Sequence, residues 1–449
     1  MKNILLFGAG KSASSLIDYL LLESEKNDWW FTVCDADILV ARSKTGTSKN
    51  ATAVSIDVTN ETDRQNLVKQ ATIVISLLPP HLHYIVAKDC VEFGKHLLTA
   101  SYIDDEIKAL EQEILSKGML VLCEMGLDPG IDHMSAMKML HSIKHKNGRI
   151  TSFKSHCGGL VAPESDNNPW HYKISWNSRN IVLAGKDGAV YRENNKTVNV
   201  PYKSVFRNCM SIDVPGLSTM AWYPNRDSLS YIKTYDLDEA STFIRTTLRY
   251  PEFCRGWNKI VNIGFTSTED HEEIKHCKTY AEWYELKLSP FIKSDRDWNN
   301  YLQIYITDPF KKEFSKQVSF LELNSKELLP ENFHCSADIL QAAMEKKLSL
   351  NPEDHDMIVM YHQIGYEMEV SGKTEKYSLD SSLVVKGDNN IHTAMAKTVG
   401  LPLAIATKLI LQGKISVTGL HIPTIPEIYE PVLHELEMHG IKFEEVHSS

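Results

Sequence analysis

Residues 8–13 read Gly8-Ala9-Gly10-Lys11-Ser12-Ala13, a Gly-x-Gly-x-x-Ala spacing. This spacing suits main chain held against a pyrophosphate. The first glycine permits a tight turn, the second lets the backbone come close, and a helix opening there offers unpaired N–H groups to an anion. Asp35 stands 22 residues beyond Ala13, at the end of the second β-type run. A carboxylate in that place accepts hydrogen bonds from ribose hydroxyls and repels a 2′-phosphate, so NAD is expected in preference to NADP. Arg42 and Lys44 leave NADP open; Cys34-Asp35-Ala36-Asp37 also reads as an exposed loop, but the glycine turn upstream favours the ribose role. Three further stretches carry small, turn-forming or hydroxyl residues: Leu77-Leu78-Pro79-Pro80, Thr99-Ala100-Ser101-Tyr102 and Gly126-Leu127-Asp128-Pro129-Gly130. Small residues admit a nicotinamide ring, and Ser101, Tyr102 and Asp128 can present polar groups beside it, the makings of a hydride-transfer site. Asp128-Pro129 also reads as a helix start, with aspartate as cap and proline in the first turn. Tyr102 also reads as an aromatic anchored by its hydroxyl, and Cys157 as an inert buried thiol.

Positioning these groups requires a frame, and the first third supplies one. Apolar runs at residues 4–7, 31–34, 53–56, 73–78, 96–99 and 120–123 lack alternation, which suits strands buried on both faces. Helix-compatible segments at 11–22, 83–93 and 105–117 fall between them. Such alternation predicts an α/β fold with a doubly wound parallel sheet of Rossmann type, whose strand C-termini share one ligand-binding edge. Past about residue 130 the pattern changes to short strands, aromatic loops and helices, with helices expected over 238–249 and 337–348. Residues 355–370 and 376–385 read as a hairpin turning at Ser371-Gly372. This middle region reads as a separate α+β domain. Two helix-like segments follow, at 392–399 and 401–411.

Composition narrows the function classes. The chain has 449 residues, enough for two or three domains, with 43% hydrophobic and 24% charged side chains. Its 48 basic and 58 acidic groups leave a net charge of −10. That balance argues against a nucleic-acid or anionic-membrane partner bound by bulk charge. Apolar runs fall short of the roughly 18 residues that span a bilayer. The opening MKNILLFGAG is cut by Gly8 before it reaches the length of a secretion signal, so a cytoplasmic location is expected. Eight scattered cysteines form no Cys-x-x-Cys pair, and His81 with His83, or His271 with His276, lack companion ligands. No metal site is expected.

Several separated motifs then become recognisable. GLDPGIDHM (126–134), HCGGLVAPESDNNP (156–169), YKISW (172–176), YPNRDS (223–228), TTLRY (246–250) and AMAKTVGLPLAIATKLIL (394–411) together resemble the L-glutamate-forming saccharopine dehydrogenase family. His156, Val161 and Pro80 depart from the family pattern, where tyrosine, proline and an aromatic residue are expected. The resemblance implies a dinucleotide-binding domain from residues 1–130 plus about 390–449, with a substrate-binding and dimerisation domain over 131–389 and a homodimeric assembly. The implied reaction is NAD(P)-dependent oxidation of L-saccharopine to L-glutamate and L-2-aminoadipate 6-semialdehyde, or its reverse, in lysine metabolism.

The resemblance also implies residue roles. Asp128, Tyr102 and Cys157 are the catalytic candidates. Ala100, Ser101, Tyr102, Asp128, Arg226, Thr247, Leu248 and Arg249 are candidates for the substrate, whose three carboxylates suit guanidinium groups. The cofactor candidates are Gly8, Gly10, Lys11, Ser12, Ala13, Asp35, Ala36, Asp57, Val58, Leu78, Pro79, Thr99, Ala100, Leu127, Asp128, Pro129 and Asn177. Two other readings stay open: an oxidoreductase of the carboxynorspermidine or homospermidine synthase type, and a non-catalytic NAD-binding protein on the same frame.

Overall fold

A computed structural model describes residues 1–291 and 311–448. Two compact units divide the chain. The first comprises Met1–Ile150, Lys233–Leu237 and Gly365–Ser449; the second comprises Thr151–Ile232 and Asp238–Ile364.

In the first unit, β1 (Asn3–Phe7), β2 (Trp30–Asp35), β3 (Ala51–Ser55), β4 (Ile73–Ser76), β5 (His96–Thr99) and β6 (Leu120–Leu122) run parallel, as the apolar runs predict. A seventh parallel strand, Gly419–His421, adds beside β6. The sheet order is β3-β2-β1-β4-β5-β6 followed by that strand, so the direction of winding reverses between β1 and β4. Open sheets of this kind take ligands where the order reverses. β4 is wholly buried, as a central strand must be. The turn after β1 enters a short 3-10 segment, Lys11–Ala13, and then α1 (Ser14–Asn27). Leu16, Ile17 and Leu20 on α1 are completely buried.

A long C-terminal helix covers the same unit. Residues Ala394–Leu411 form one 18-residue helix, where the sequence pattern suggested two segments broken at Gly400. A Cβ at Gly400 would lie 2.9 Å from the Leu16 backbone nitrogen, so that glycine is a contact with α1 and not a break. The helix is long and apolar enough to cross a membrane by length and composition, and 78% of it is buried inside the protein. Thr393 caps its start by accepting from the Ala396 N–H at 2.9 Å.

The second unit contains a mixed sheet. Met210–Ile212, Met220–Pro224, Thr242–Arg249, Arg149–Val161 and Asp356–Val370 lie in that order. Thr242–Arg249 pairs parallel with Arg149–Val161 and antiparallel with Met220–Pro224. The helix expected over 238–249 is therefore a strand from Thr242 onward. Its sequence, TFIRTTLR, is rich in β-branched residues and buried on both faces, a case in which periodicity does not separate strand from helix. The helix expected near 337 is present as Ser336–Leu348. The strands Asp356–Val370 and Lys373–Lys386 flank Ser371-Gly372, both with positive φ, at the expected turn. Helices Pro251–Ile263, Tyr280–Leu288 and Ser336–Leu348 share an aromatic core built on Trp257, Trp283 and Phe265.

Candidate functional site

The glycine turn sits at the reversal of the sheet. Gly8 has φ +98°, and a Cβ there would come within 2.6 Å of the Leu77 carbonyl oxygen. Its N–H donates to the Cys34 carbonyl, which ties the turn to β2, while Leu77 donates to the Phe7 carbonyl from the β4 side. Gly10 begins the 3-10 turn without a side-chain cap, and a Cβ on it would meet nothing within 4 Å. Exposed glycine before an uncapped helix start is a fit for a phosphate group. Lys11 is exposed, Ser12 half-buried, and Ala13 is buried in the packing beneath.

Asp35 ends β2 in a braced position. Its Oδ2 accepts from the Ala9 N–H at 2.8 Å and its Oδ1 accepts from the Asp37 N–H at 3.0 Å. Beside it, the Lys44 ammonium donates to the Gly10 carbonyl, and burial pushes that lysine down to about 8. Arg42 is exposed one turn away on the helix Ile38–Thr45. Ala36 and Asp57 are also exposed, and Val58 is buried. The Asp57 carboxylate accepts from both the backbone and the hydroxyl of Thr59, and these bonds hold it below the usual range. Leu78 is half-buried and Pro79 exposed after β4.

Past β4 the structure reveals a group that sequence reasoning treated only as an unsupported metal ligand. His83, 2% exposed, opens the helix His83–Phe93. Its Nδ1 lies 2.8 Å from the Ser76 hydroxyl and 3.4 Å from the Thr99 hydroxyl. Its Nε2 lies 2.6 Å from the Ser101 hydroxyl. Burial pushes the imidazole down to about 4, against a smaller upward pull from Asp104. The ring thus stands neutral among hydroxyls from the ends of β4 and β5. Ala100, Ser101 and Tyr102 are half-buried in the turn that follows. Among the described residues, no group of three or more His, Cys, Asp and Glu is placed to hold a metal ion.

The stretch carrying Asp128 folds back on itself. Gly126 donates to the Pro129 carbonyl at 3.0 Å, and Ile131 donates to the Gly126 carbonyl at 2.9 Å. The Asp128-Pro129 bond is cis. Gly130 has φ +147°, and a Cβ would overlap Gly126, so no larger residue fits there. The helix begins at Ile131 with Gly130 as its cap residue. Asp128 is therefore not the cap that the sequence also allowed; Asp132 accepts from the Gly130 N–H instead, at 2.6 Å. Asp128 is half-buried, with Leu127 and Pro129 buried on either side.

Beneath the turn lies a second group that sequence reasoning missed. Glu124 has φ +56°, and its Oε2 sits 2.8 Å from His133 Nε2, whose Nδ1 is 2.5 Å from the Tyr235 hydroxyl. The Glu124 N–H donates to the Ser101 carbonyl and Met125 donates to Thr99, so the turns after β5 and β6 are stitched together. The available signal was a glutamate directly after an apolar strand, followed nine residues later by a histidine on a buried helix.

In the second unit, Cys157, Thr247 and Tyr223 stand in register on three adjacent strands. Cys157 is buried, Leu248 is fully buried and Thr247 half-buried. Arg249 is 5% exposed. Its Nη1 donates to the Leu248 carbonyl at 2.7 Å, and the guanidinium carbon stands 5.3 Å from the Tyr172 ring centre and 5.6 Å from that of Phe253. Its buried Nε has no hydrogen-bond acceptor, and no carboxylate among the described residues pairs with it. Arg226 is exposed on the two-residue strand Arg226–Asp227 with φ +48°. Asn177 is exposed and caps the short helix Ser178–Val182 by accepting from the Arg179 N–H. His156 is buried against Trp222 and Tyr361, 2.7 Å from the Thr246 hydroxyl, and burial pushes it down to about 3.

Comparisons with known proteins cover both parts of the chain. Residues 4–122 match the saccharopine dehydrogenase NADP binding domain, and residues 126–441 match the saccharopine dehydrogenase C-terminal domain. An Arabidopsis thaliana protein named alpha-aminoadipic semialdehyde synthase is 33% identical over 98% of this chain, which spans only 44% of that relative. The chain thus covers about half the length of the synthase-type relatives it matches. A Schizosaccharomyces pombe protein named saccharopine dehydrogenase [NADP(+), L-glutamate-forming] is 32% identical, with 99% of each chain covered. The solved apo structure of saccharopine dehydrogenase (L-Glu forming) from Saccharomyces cerevisiae matches with a TM-score of 0.89 at 32% identity, over 100% of both chains.

These matches overturn the preference for NAD. The N-terminal match is to an NADP binding domain, and the S. pombe and S. cerevisiae relatives carry NADP(+) in their names. The Asp35 carboxylate has a structural task that the sequence did not show: its oxygens accept from the Ala9 and Asp37 N–H groups and brace the glycine turn. Its position along the sequence could not reveal that engagement. With both domain models matched in order and a full-length likeness in fold, the chain belongs to the saccharopine dehydrogenase family.

Proposed function

We propose that this chain catalyses the NADP-dependent interconversion of L-saccharopine with L-glutamate and L-2-aminoadipate 6-semialdehyde. The observation that carries the reading is Arg249. A buried guanidinium with an unpaired Nε and no acidic partner among the described residues is costly to keep unless a ligand carboxylate completes it. The flanking rings of Tyr172 and Phe253 hold its plane and suit a bidentate carboxylate contact. A polyamine, as in the carboxynorspermidine-type alternative, would call for acidic groups in that place.

The glycine turn would hold the pyrophosphate, and Arg42 with Lys44 would meet a 2′-phosphate. When bound, the nicotinamide supplies a hydride acceptor. The protein's share is binding and proton handling. The substrate's secondary amine must lose its proton before the neighbouring carbon can give up hydride, because an ammonium nitrogen has no lone pair with which to form the imine. Asp128 would orient and charge-stabilise that nitrogen, with Tyr102 and Cys157 as supporting polar groups. Water then adds to the imine carbon, and the carbinolamine collapses, releasing the amine of glutamate and leaving the aldehyde. Replacing Arg249 by methionine tests the reading. The saccharopine KM is expected to rise on the order of 10- to 100-fold, the worth of a charge-assisted hydrogen bond, with the NADP+ KM within about 2-fold. An unchanged saccharopine KM would remove Arg249 from substrate binding.

A further inference from the structure

The hydroxyls around His83 fix its tautomer. Ser76 and Thr99 are both 0% exposed. Among the described residues the Ser76 hydroxyl has one hydrogen-bond partner, His83 Nδ1 at 2.8 Å. A buried O–H left without an acceptor keeps its full desolvation penalty, so the Ser76 proton must point at Nδ1. Nδ1 has a single lone pair, and the Ser76 O–H at 2.8 Å takes it; the Thr99 hydroxyl, 3.4 Å away and already accepting the Ser101 N–H at 3.2 Å, is only a weak second contact. With Nδ1 accepting, the single ring proton of the neutral imidazole sits on Nε2. Nε2 then donates to the Ser101 oxygen at 2.6 Å. Ser101 is half-buried, and its own O–H has no further acceptor among the described residues. That O–H is left to donate outward.

We infer that His83 is a positioning residue: through the Ser76–His83–Ser101 chain it takes one lone pair of the Ser101 oxygen and keeps the Ser101 O–H pointed away from the ring, ready to donate, which suits a carboxylate as the ligand group met at this turn. Identifying the carboxylate as one of saccharopine's rests on the function proposed above; the direction of the chain does not. The same three residues fix where the Ser101 hydrogen points, where a hydroxyl with no such partner would turn freely.

Two measurements decide it. In the ligand-free, histidine-15N-labelled full chain, with His83 assigned by loss of its signals in His83→Gln, the expected spectrum shows a protonated, pyrrole-type Nε2 and a pyridine-type Nδ1. A protonated Nδ1 would overturn the inference whatever the enzyme's substrate proves to be. The second uses Ser76→Ala, which removes the hydroxyl that sets the tautomer but deletes little volume. The saccharopine KM is expected to rise about 3- to 10-fold with kcat within about 2-fold and the NADP+ KM unchanged, the loss of one polarised hydrogen bond. A fall in kcat with an equal rise in both KM values, or no change at all, counts against it. If the wild-type chain leaves saccharopine untouched, the function proposal fails while the spectrum still decides the tautomer.

Discussion

At the scale of single residues, sequence type and structural role part company most clearly at Asp35 and Asp128. Both were legible as carboxylates at chemically useful places. Asp35 turned out to be a brace, because its oxygens are claimed by two loop N–H groups that only the folded turn brings within reach. Asp128 lost its alternative as a helix cap, because Gly130, with φ +147° and no room for a Cβ, starts the helix two residues later. Asp128 is the residue we propose for the substrate nitrogen. Its replacement by alanine is expected to lower kcat about 10- to 100-fold while the NADP+ Kd, read by fluorescence titration, stays within a few-fold. Unchanged turnover would remove it from the proton chemistry. His83 could not be read in advance. A lone histidine between apolar residues carries no mark of its partners, which here come from the ends of two other strands.

At the scale of elements, the six apolar runs of the N-terminal third were legible because central parallel strands are buried on both faces and need no alternation. The same property misled at 238–249. TFIRTTLR is also buried on both faces, and a continuous buried run of that length fits either a strand or a helix segment. The glycine at position 400 misled in the opposite sense, since a residue that usually interrupts a helix is here the point of close approach to α1. Cofactor choice also belongs to this scale, because the helix Ile38–Thr45 carries its cations just beyond β2. Arg42→Ala is expected to raise the NADP+ KM about 10-fold while leaving the NAD+ KM nearly unchanged, since one phosphate contact is lost and nothing in NAD meets that side chain. Equal losses for the two cofactors in steady-state assays would show that Arg42 does not meet the 2′-phosphate.

At the scale of the whole molecule, composition argues against partners bound by bulk charge but cannot name a substrate. A net charge of −10 says that a tricarboxylate must be met by local cations, and a charge total does not say where they stand. The fold answers for Arg249, which is buried without an acidic partner among the described residues, and distinguishes it from the exposed Arg226. Family membership carries the frame and the cofactor class, and the buried guanidinium with no acidic partner among the described residues carries the case we make for a carboxylate substrate. The most direct test is the initial rate of NADPH formation at 340 nm with L-saccharopine and NADP+, with the products identified by mass spectrometry. The account predicts saturable NADPH formation with glutamate and 2-aminoadipate 6-semialdehyde in equal amounts, and a lower kcat/KM when NAD+ replaces NADP+. Absence of NADPH formation with saccharopine, alongside turnover of carboxynorspermidine, would contradict it.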